Sequence, residues 1–185
     1  MRPASRWMIL CALCATAVAQ SNSAVERNKA VARSFFVEVL DQGHLEKYAE
    51  SHAADFVAHG GDHDATLAED RAEAGEQRKA LPDMRVTVNQ ILGEGDSVVV
   101  YWRASGTNTG EGMGFPATGK RIVVPGMTIF HFKQGKISEE WSVFDMSSAM
   151  QQAGLCAAAK SGAQKIKWAG NQEAVTVLGY RPTRS

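Results

Sequence analysis

Asp145 is the residue whose position in this chain most favours acid/base chemistry. Residues 137–145 alternate in polarity as the residues of a β-strand do, so Trp141, Val143 and Asp145 share one face. A carboxylate among apolar side chains resists ionisation, which raises its pKa towards neutrality and makes it a usable general base. The alternative role is structural, because Asp is a favoured N-cap and a short helix is predicted from Met146 onward. The two roles are compatible.

The strand before Asp145 belongs to a predicted β-hairpin that decides which residues face this carboxylate. Residues 121–132 are apolar on both faces, which indicates a strand that is covered on both sides. A two-residue type I′ turn would need a positive φ at Gln134, which a residue of this type resists. We therefore predict a three-residue loop with Gly135 in the left-handed region and a bulge. In that register Val123 lies opposite Asp145.

The same register places His131 and three apolar side chains on the face of Asp145. A lone histidine on a strand is more often structural. Here, however, His131 is placed to donate a hydrogen bond to the enolate oxygen that forms when a carboxylate removes a proton next to a carbonyl. Met127, Ile129 and Trp141 are predicted to form the wall of an apolar ligand pocket. The predicted catalytic residues are therefore Asp145 and His131. Met127, Ile129 and Trp141 are predicted to bind substrate.

The even-numbered side chains of the same two strands form a second apolar stripe. Val124, Phe130, Phe132 and Phe144 belong to it. An apolar face that the chain itself leaves open is normally covered by a partner. We therefore predict a homodimer in which a second copy of the chain covers this stripe.

A polar loop at residues 59–64 contains residue types that bind metals. His59, His63, Asp62 and Asp64 could chelate zinc, but their spacing is irregular and two adjacent glycines leave the loop soft. The preferred interpretation is a solvated loop, so no metal ion is predicted. No cofactor-binding motif is found elsewhere, and no cofactor is predicted.

Residues 106–120 are rich in glycine, but they do not lead from a strand into a helix, as a phosphate-binding loop does. Apolar residues within this segment, Met113, Phe115 and Pro116, indicate a mobile lid that contacts a ligand. Phe115 is therefore a further predicted substrate-binding residue. The alternative is an ordinary long loop between two strands.

The order of the predicted elements indicates the α+β fold class. Helical patterns come first, and the third of them starts at a capping box formed by Thr66 and Glu69. Antiparallel strand patterns follow, so a curved sheet with the N-terminal helices packed on its concave face is expected. The predicted helices are residues 25–42, 45–52, 66–80 and 146–153; the predicted strands are residues 84–92, 97–105, 121–132 and 137–145.

The ends and the composition limit the classes of partner. The 20 basic and 20 acidic residues favour neither nucleic acid nor an acidic membrane. Residues 1–19 combine two arginines, an apolar run and an Ala-Val-Ala site, which predicts a signal peptide and export to the periplasm or the medium, with no membrane association after cleavage. Cys156 is then the last remaining cysteine, so no internal disulfide is expected. Residues 25–155 form the predicted domain, and residues 156–185 a tail without a predicted role.

Four blocks of sequence, in this order, resemble the SnoaL-like polyketide cyclase (ester cyclase) family. They are FVEVLDQGHLEKYAESHAADFVAHG, LPDMRVTVNQILGEGDSVVVYWRASGTNTG, GFPATGKRI and FHFKQGKISEEWSVFDMSSAMQQAGL. The resemblance covers about residues 28–155. It implies the cone-shaped α+β fold of the nuclear-transport-factor-2-like (NTF2-like) superfamily, and an intramolecular aldol ring closure without metal or Schiff base.

The resemblance also implies roles for individual residues. Asp145 in WSVFD matches the family's carboxylate near the end of the last strand, and His131 in IFHF matches its pocket histidine. His59 ends the segment that reaches the pocket mouth, which makes it a polar substrate-binding candidate. Many family members have Trp-Asp where this chain has Trp141-Ser142, so one nearby carboxylate is absent here.

Together these patterns predict an exported α+β domain that performs acid/base chemistry on a small organic molecule in an apolar pocket. The expected reaction is an aldol-type cyclisation or proton abstraction alpha to a carbonyl, by a cofactor-independent lyase or isomerase. Two alternatives stay open, namely an isomerase or hydrolase on the same fold and a domain that binds a small ligand without catalysis.

Overall fold

The computed structural model of the protein describes residues 23–60 and 63–155, together with two short strands at Gln164–Lys165 and Thr176–Val177. The predicted signal peptide, Cys156 and most of the predicted tail lie outside the described residues. Within the described part, no helix is long and apolar enough to cross a membrane.

The first helix, α1, packs its apolar stripe into the core. It is α-helical over residues 23–34 and π-helical over Phe35–Asp41. A π-helical turn holds one more residue than an α-helical turn. Two consecutive aromatic residues, Phe35 and Phe36, are both buried here, together with Val39. The predicted helix at residues 25–42 is therefore confirmed, with a wider turn that the sequence pattern did not indicate.

A strand that the sequence analysis missed follows the second helix. A 3₁₀ turn, Leu45–Lys47, leads into the short helix α2, Tyr48–Ser51, and then into β1, His52–His59. β1 pairs in parallel with the last strand of the hairpin and antiparallel with β2, Ala65–Thr66. The parallel pair departs from the purely antiparallel sheet that we expected.

The third helix, α3, spans Leu67–Ala80 and starts as predicted. The Thr66 hydroxyl accepts a hydrogen bond from the Glu69 amide, and the Glu69 carboxylate accepts one from the Thr66 amide at 2.8 Å. These two bonds satisfy amides that a helix start otherwise leaves unpaired. The helix ends before Pro82, which cannot continue it.

The remaining strands complete one curved, open sheet. In order of position, the six strands are β2, β1, β6, β5, β4 and β3. A closing helix, α4, spans Met146–Ala153 and is fastened to β5 because the Gln152 side chain bonds both the amide and the carbonyl of Val123, at 2.8 and 3.0 Å. The α+β fold class is confirmed. The four long strands are β3, Arg85–Glu94; β4, Ser97–Thr107; β5, Arg121–Lys133; and β6, Lys136–Phe144.

The predicted hairpin turn is wrong. Lys133 pairs with Lys136 across a two-residue turn in which Gln134 and Gly135 both have positive φ, 54° and 76°. This is the type I′ geometry, and the right-handed twist that it gives to the strands outweighs the strain at Gln134. The bulge lies instead between His131 and Phe132.

The observed register differs from the predicted one by two residues beyond the bulge. His131 lies opposite Glu139, and Ile129 lies opposite Trp141, whereas we expected Ile137 and Glu139 at these positions. Because side chains alternate with a period of two, this shift leaves odd-numbered residues of both strands on one face.

The burial of the two faces shows that the prediction of which face lines the pocket is wrong. The even-numbered Phe130 and Phe132 are 0% and 6% exposed and pack against α1 in the core. The odd-numbered Met127, Ile129 and Val143 are 49%, 41% and 65% exposed. The chain's own helices therefore cover the even-numbered stripe, and the argument that a second copy covers it is wrong. The homodimer itself stays a prediction.

Candidate active site

A cavity of about 540 Å³ lies between the even-numbered face of the sheet, α1, α3, α4 and the loop at residues 108–120. Its walls are mainly apolar. Aromatic rings and thioethers provide many of the larger apolar groups in the lining, and flexible thioethers adapt readily to different ligand shapes. These residues are Phe35, Phe36, Trp102, Phe115, Phe144, Met84, Met113, Met146 and Met150.

The loop over the cavity is held by one buried side chain. Asn108 is 3% exposed, and its amide group donates to the carbonyls of Ala80 and Gly110 at 3.2 Å. Its side-chain oxygen accepts from the amide and hydroxyl of Thr118, at 3.0 and 2.9 Å. These bonds anchor the loop to the end of α3, and Phe115 lines the cavity as predicted.

Four polar side chains from four elements meet beside this apolar cavity, and all of them except His52 line it. They are Tyr48 of α2, His52 of β1, Asp70 of α3 and Glu140 of β6. Ligand atoms of His52, Asp70 and Glu140 all lie within 4.8 Å of one another. The Tyr48 hydroxyl donates a short hydrogen bond to Asp70 Oδ2, and a bond to the charged form stabilises a carboxylate.

The tautomer of His52 follows from its backbone contact. Its Nδ1 lies 2.9 Å from the carbonyl oxygen of Tyr48, which can only accept, so Nδ1 carries the hydrogen. Nε2 is left with a lone pair, and it is buried without a hydrogen-bond partner. Burial lowers the pKa of His52 to about 4, so the ring is neutral at pH 7.

Glu140 holds a proton under the same conditions. Burial, and then the charge of Asp70, raise the pKa of Glu140 to about 8. Burial also raises the pKa of Asp70, but the Tyr48 hydroxyl opposes this shift. Since Asp70 has the better support for its charged form, we place the negative charge on Asp70 and the proton on Glu140 at neutral pH.

A chain of hydrogen bonds ends on one oxygen of Glu140. Trp102 Nε1 donates to Thr128 Oγ1 at 2.9 Å, Thr128 Oγ1 lies 2.7 Å from Ser142 Oγ, and Ser142 Oγ donates to Glu140 Oε1 at 2.6 Å. The other oxygen, Oε2, is buried and has no protein partner.

Within the described part of the chain, one group of side chains has its ligand atoms close enough together to share a metal ion. It consists of His52, Asp70 and Glu140. In the loop that we considered as a metal site, His59 Nδ1 lies 3.0 Å from Asp64 Oδ1, and Asp62 lies outside the described residues.

The residue that we expected to be the base lies outside the cavity. Asp145 is exposed, and its Oδ1 accepts a hydrogen bond from the Ser148 amide at 2.8 Å. The N-cap role is therefore confirmed. The predicted pocket position of Asp145 is wrong, and its proposed catalytic role loses its geometric basis.

The other residues on the odd-numbered face are likewise outside the cavity lining. His131 lies 3.5 Å from Glu139 Oε2 and packs edge-on against Trp141. Met127 and Ile129 are half exposed beside them. Their predicted pocket positions are wrong for one common reason: both faces of β5 are apolar in sequence, so alternation could not identify the buried one.

His59 does line the cavity, at its rim. Its ring stacks on Trp141 with the centroids 4.4 Å apart and the planes at 19°. Its Nε2 lies 3.8 Å from Glu139 Oε2. Trp141 therefore affects the cavity by holding His59, and does not form its wall.

The sequence analysis missed the polar cluster itself. A signal existed for Glu140, since it interrupts the apolar even-numbered stripe that contains Phe130, Phe132 and Phe144. Asp70 gave no such signal, because it lies in a helix that is charged throughout. His52 was assigned to a helix that in fact ends at Ser51, whereas Tyr48 lies in that helix as predicted.

The chain belongs to the SnoaL-like polyketide cyclase family, whose sequence profile matches residues 30–153. Its fold is the NTF2-like fold of that family. No curated protein sequence matches the chain significantly.

Several solved structures are similar to it. AclR from Streptomyces galilaeus, a candidate hydroxylase, is 25% identical and aligns with a TM-score of 0.65 over 71% of this chain and 83% of its own. IdmH from Streptomyces antibioticus, a candidate polyketide cyclase, is 26% identical, with a TM-score of 0.61 over 69% and 98%. A candidate SnoaL-like polyketide cyclase from Jannaschia sp. CCS1 is 22% identical, with a TM-score of 0.65 over 71% and 94%.

Proposed function

We propose that the protein is an acid/base enzyme of the cyclase or isomerase type, which needs no cofactor and acts on a small carbonyl compound with an acidic C–H bond. The observation that carries this proposal is the pair of Asp70 and Glu140 at one end of an apolar cavity, with their oxygens within 4.8 Å. One carboxyl group is charged and the other protonated, which is the arrangement that a base and a hydrogen-bond donor require.

The proposed first step transfers one proton. Asp70 accepts the proton from the carbon next to the carbonyl, and the C–H electron pair becomes the C=C bond of an enolate. Glu140 donates a hydrogen bond from Oε2 to the enolate oxygen, where the negative charge develops. The apolar walls exclude water, which strengthens this interaction.

Two outcomes can follow this step. In an isomerase the proton returns from Asp70 to another carbon of the same conjugated system. In a cyclase the enolate carbon attacks a second carbonyl of the same molecule, a C–C bond forms, and the new alkoxide receives a proton. The likeness to IdmH supports the second outcome and a substrate with several carbonyl groups.

The cavity also limits the charge of the substrate. Asp70, Glu73 and Glu140 line it, and no lysine or arginine of the described chain does. His52 is neutral at pH 7 because of its lowered pKa. A neutral or cationic molecule is therefore favoured over a carboxylate or a phosphate.

Hydrogen–deuterium exchange tests the proton abstraction without the natural substrate. The probe is a neutral cyclic 1,3-diketone in deuterated buffer, followed by NMR. We expect the protein to accelerate exchange, and Asp70→Asn and Glu140→Gln to lower the rate by at least about a hundredfold. Glu139→Gln is the matched control, because Glu139 lies on the opposite face of β6, and it should exchange at the wild-type rate. Exchange no faster than in buffer, or unchanged in Asp70→Asn, would refute the proposal and leave a ligand-binding domain.

We propose two further properties that the sequence suggested. Residues 1–19 support export, which a reporter fused after Ala24 tests by its activity in the periplasm. The exposed odd-numbered face of β5 and β6, with Met127, Ile129 and Val143, is the apolar surface that supports a homodimer. Light scattering at micromolar concentration should give twice the mass of one chain, and the mass of one chain would contradict the dimer.

A further inference from the structure

The hydrogen-bond chain that ends on Glu140 has a fixed direction. The indole nitrogen of Trp102 can only donate, so Thr128 Oγ1 accepts from it. Ser142 Oγ, at 2.7 Å, is the described acceptor for the hydroxyl hydrogen of the buried Thr128, so Thr128 donates to Ser142. Ser142 then donates its own hydroxyl hydrogen to Glu140 Oε1. Every hydrogen in the chain points towards Glu140.

The strands hold the side chains of this hydrogen-bond chain in fixed positions. Thr128 is 2% exposed and lies opposite Ser142 in the β5–β6 register. Trp102 lies opposite Gly126 of β5, and a Cβ at Gly126 would come within 3 Å of the indole ring. A glycine at this position therefore leaves the space that the indole needs. A buried donor without a partner costs free energy, so these groups stabilise one another in this single arrangement.

We propose that Trp102, Thr128 and Ser142 are positioning residues that hold the proton of Glu140 on Oε2, the oxygen without a protein partner. Oε1 already accepts from Ser142, and the carbonyl oxygen is the better acceptor of a protonated carboxyl group, so this contact favours the hydrogen on Oε2. The hydrogen is thereby held on the oxygen that no described side chain contacts by a hydrogen bond, and the proposed reaction uses this oxygen as the donor. This inference rests on the proposed function for its role in the reaction, but the state of Glu140 is measurable without any substrate.

The hydrogen-bond chain also changes the pKa of Glu140. The hydrogen bond from Ser142 lowers the pKa of Glu140, against the larger effect of burial, which raises it. The titratable groups that face Glu140 are Tyr48 of α2, His52 of β1, and Asp70 and Glu73 of α3. The pKa of His52 is about 4 and that of Tyr48 lies well above its usual value, so neither changes charge near pH 8. A midpoint near pH 8 would therefore belong to the pair of Asp70 and Glu140, and the signal that Glu140→Gln removes identifies the part carried by Glu140.

The test is an NMR titration of the glutamate side-chain carboxyl carbons in the full chain, with Glu140→Gln to assign the signal. The wild-type midpoint should lie near pH 8. Ser142→Ala should raise it by at least about half a unit, because the charged form loses its hydrogen bond. Thr128→Val, which has the same shape but no hydroxyl, should raise it less. Thr128→Ser should restore the wild-type value.

One control and one further variant separate this effect from a general loss of structure. Ser138→Ala removes a hydroxyl from the same strand that donates to the carbonyl of His131, and it should leave the midpoint unchanged. Trp102→Phe keeps an aromatic ring but loses the donor, and it should shift the midpoint upward by less than Ser142→Ala does.

The outcomes divide clearly. An unchanged midpoint in both Ser142→Ala and Thr128→Val overturns the inference, as does a wild-type midpoint near the ordinary glutamate value. Shifted midpoints in a protein that does not accelerate diketone exchange would support the proposed role of the hydrogen-bond chain and refute the proposed enzymatic function. Shifted midpoints with a matching shift in the pH profile of exchange would support both.

Discussion

Glu139 and Glu140 are consecutive residues of β6 whose side chains lie on opposite faces of the sheet. Glu139 Oε2 lies 3.5 Å from His131 on the exposed face. Glu140 Oε1 accepts from Ser142 at 2.6 Å beside the cavity. Two residues of one type therefore provide a matched pair, in which one carboxyl group is buried near another charge and the other is partly solvated.

Glu140→Gln should change how stability depends on pH. The pKa of Glu140 is about 8 in the folded chain and near 4.3 when unfolded, so the wild type loses stability as the pH rises from about 4.5 to 8. The glutamine variant lacks this loss. Its free energy of unfolding relative to wild type should therefore rise by about 4 kcal/mol between pH 5 and pH 9. Urea unfolding at both pH values measures this, and a pH-independent difference, or one equal to that of Glu139→Gln, would contradict it.

His52 should remain neutral down to about pH 4. Its pKa falls from about 6.5 in the unfolded chain to about 4 in the folded chain, because burial disfavours the charged ring. Stability that depends on neutral His52 is present above pH 6.5 and is lost as the pH falls towards 4. In NMR spectra the His52 ring signal should not titrate between pH 5 and 8. A midpoint within that range would show that the ring is accessible to water.

Asp145→Ala should reduce stability without removing activity. Its Oδ1 caps α4 through the Ser148 amide at 2.8 Å, and loss of an N-cap costs about 1 kcal/mol. Asp145→Ser keeps a cap and should retain most of the stability. Thermal unfolding and the exchange assay measure the two effects separately. A large loss of exchange in a folded Asp145→Ser variant would restore the catalytic role that the sequence suggested.

The charge of the cavity should decide which simple aromatic molecules bind. Benzylammonium, benzyl alcohol and benzoate are similar in size and differ in charge. Because the acidic Asp70 and Glu73 line the cavity without a lysine or arginine among the described residues, and the protonated Glu140 adds no positive charge, benzoate should bind at least about tenfold more weakly than the other two. Calorimetry with each compound tests this, and equal or tighter binding of benzoate would show a cationic group that the structure does not place there.

Gln134→Asn should stabilise the chain. Gln134 has a φ of 54° in the hairpin turn, where Asn is tolerated better, so a gain of about 0.5 kcal/mol is expected. Gly135→Ala is the opposite control, since a φ of 76° disfavours alanine although no atom lies within 4 Å of its Cβ. It should cost about 1 kcal/mol. Urea unfolding of both variants is the measurement, and a loss in Gln134→Asn would contradict the turn type.

Local patterns in the sequence were sufficient for the fold class and for most of the helices and strands. The capping box at Thr66 and Glu69, the apolar stripe of α1 and the long strands followed from residue type and period, because each depends on neighbours in sequence. β1 was missed because its burial is irregular, with only His52 and Phe56 buried along its length.

The site could not be predicted in the same way. The choice of sheet face depended on which apolar stripe the helices cover, and both stripes of β5 were apolar. The cluster of Tyr48, His52, Asp70 and Glu140 joins four elements that are distant in sequence, so only their packing brings the groups together. The prediction of the hairpin turn was wrong for a different reason, because strand twist outweighed the local preference of Gln134.

The π-helical segment of α1 allows the chain to change in length. A π-helical turn holds one residue more than an α-helical turn, so deleting one residue within Phe35–Asp41 converts that turn to α-helical geometry without rotating residues 23–34 relative to the sheet. Ala32, which is fully buried, would then keep its place in the core. A relative that lacks one residue here can therefore carry the same apolar stripe in the first half of its helix.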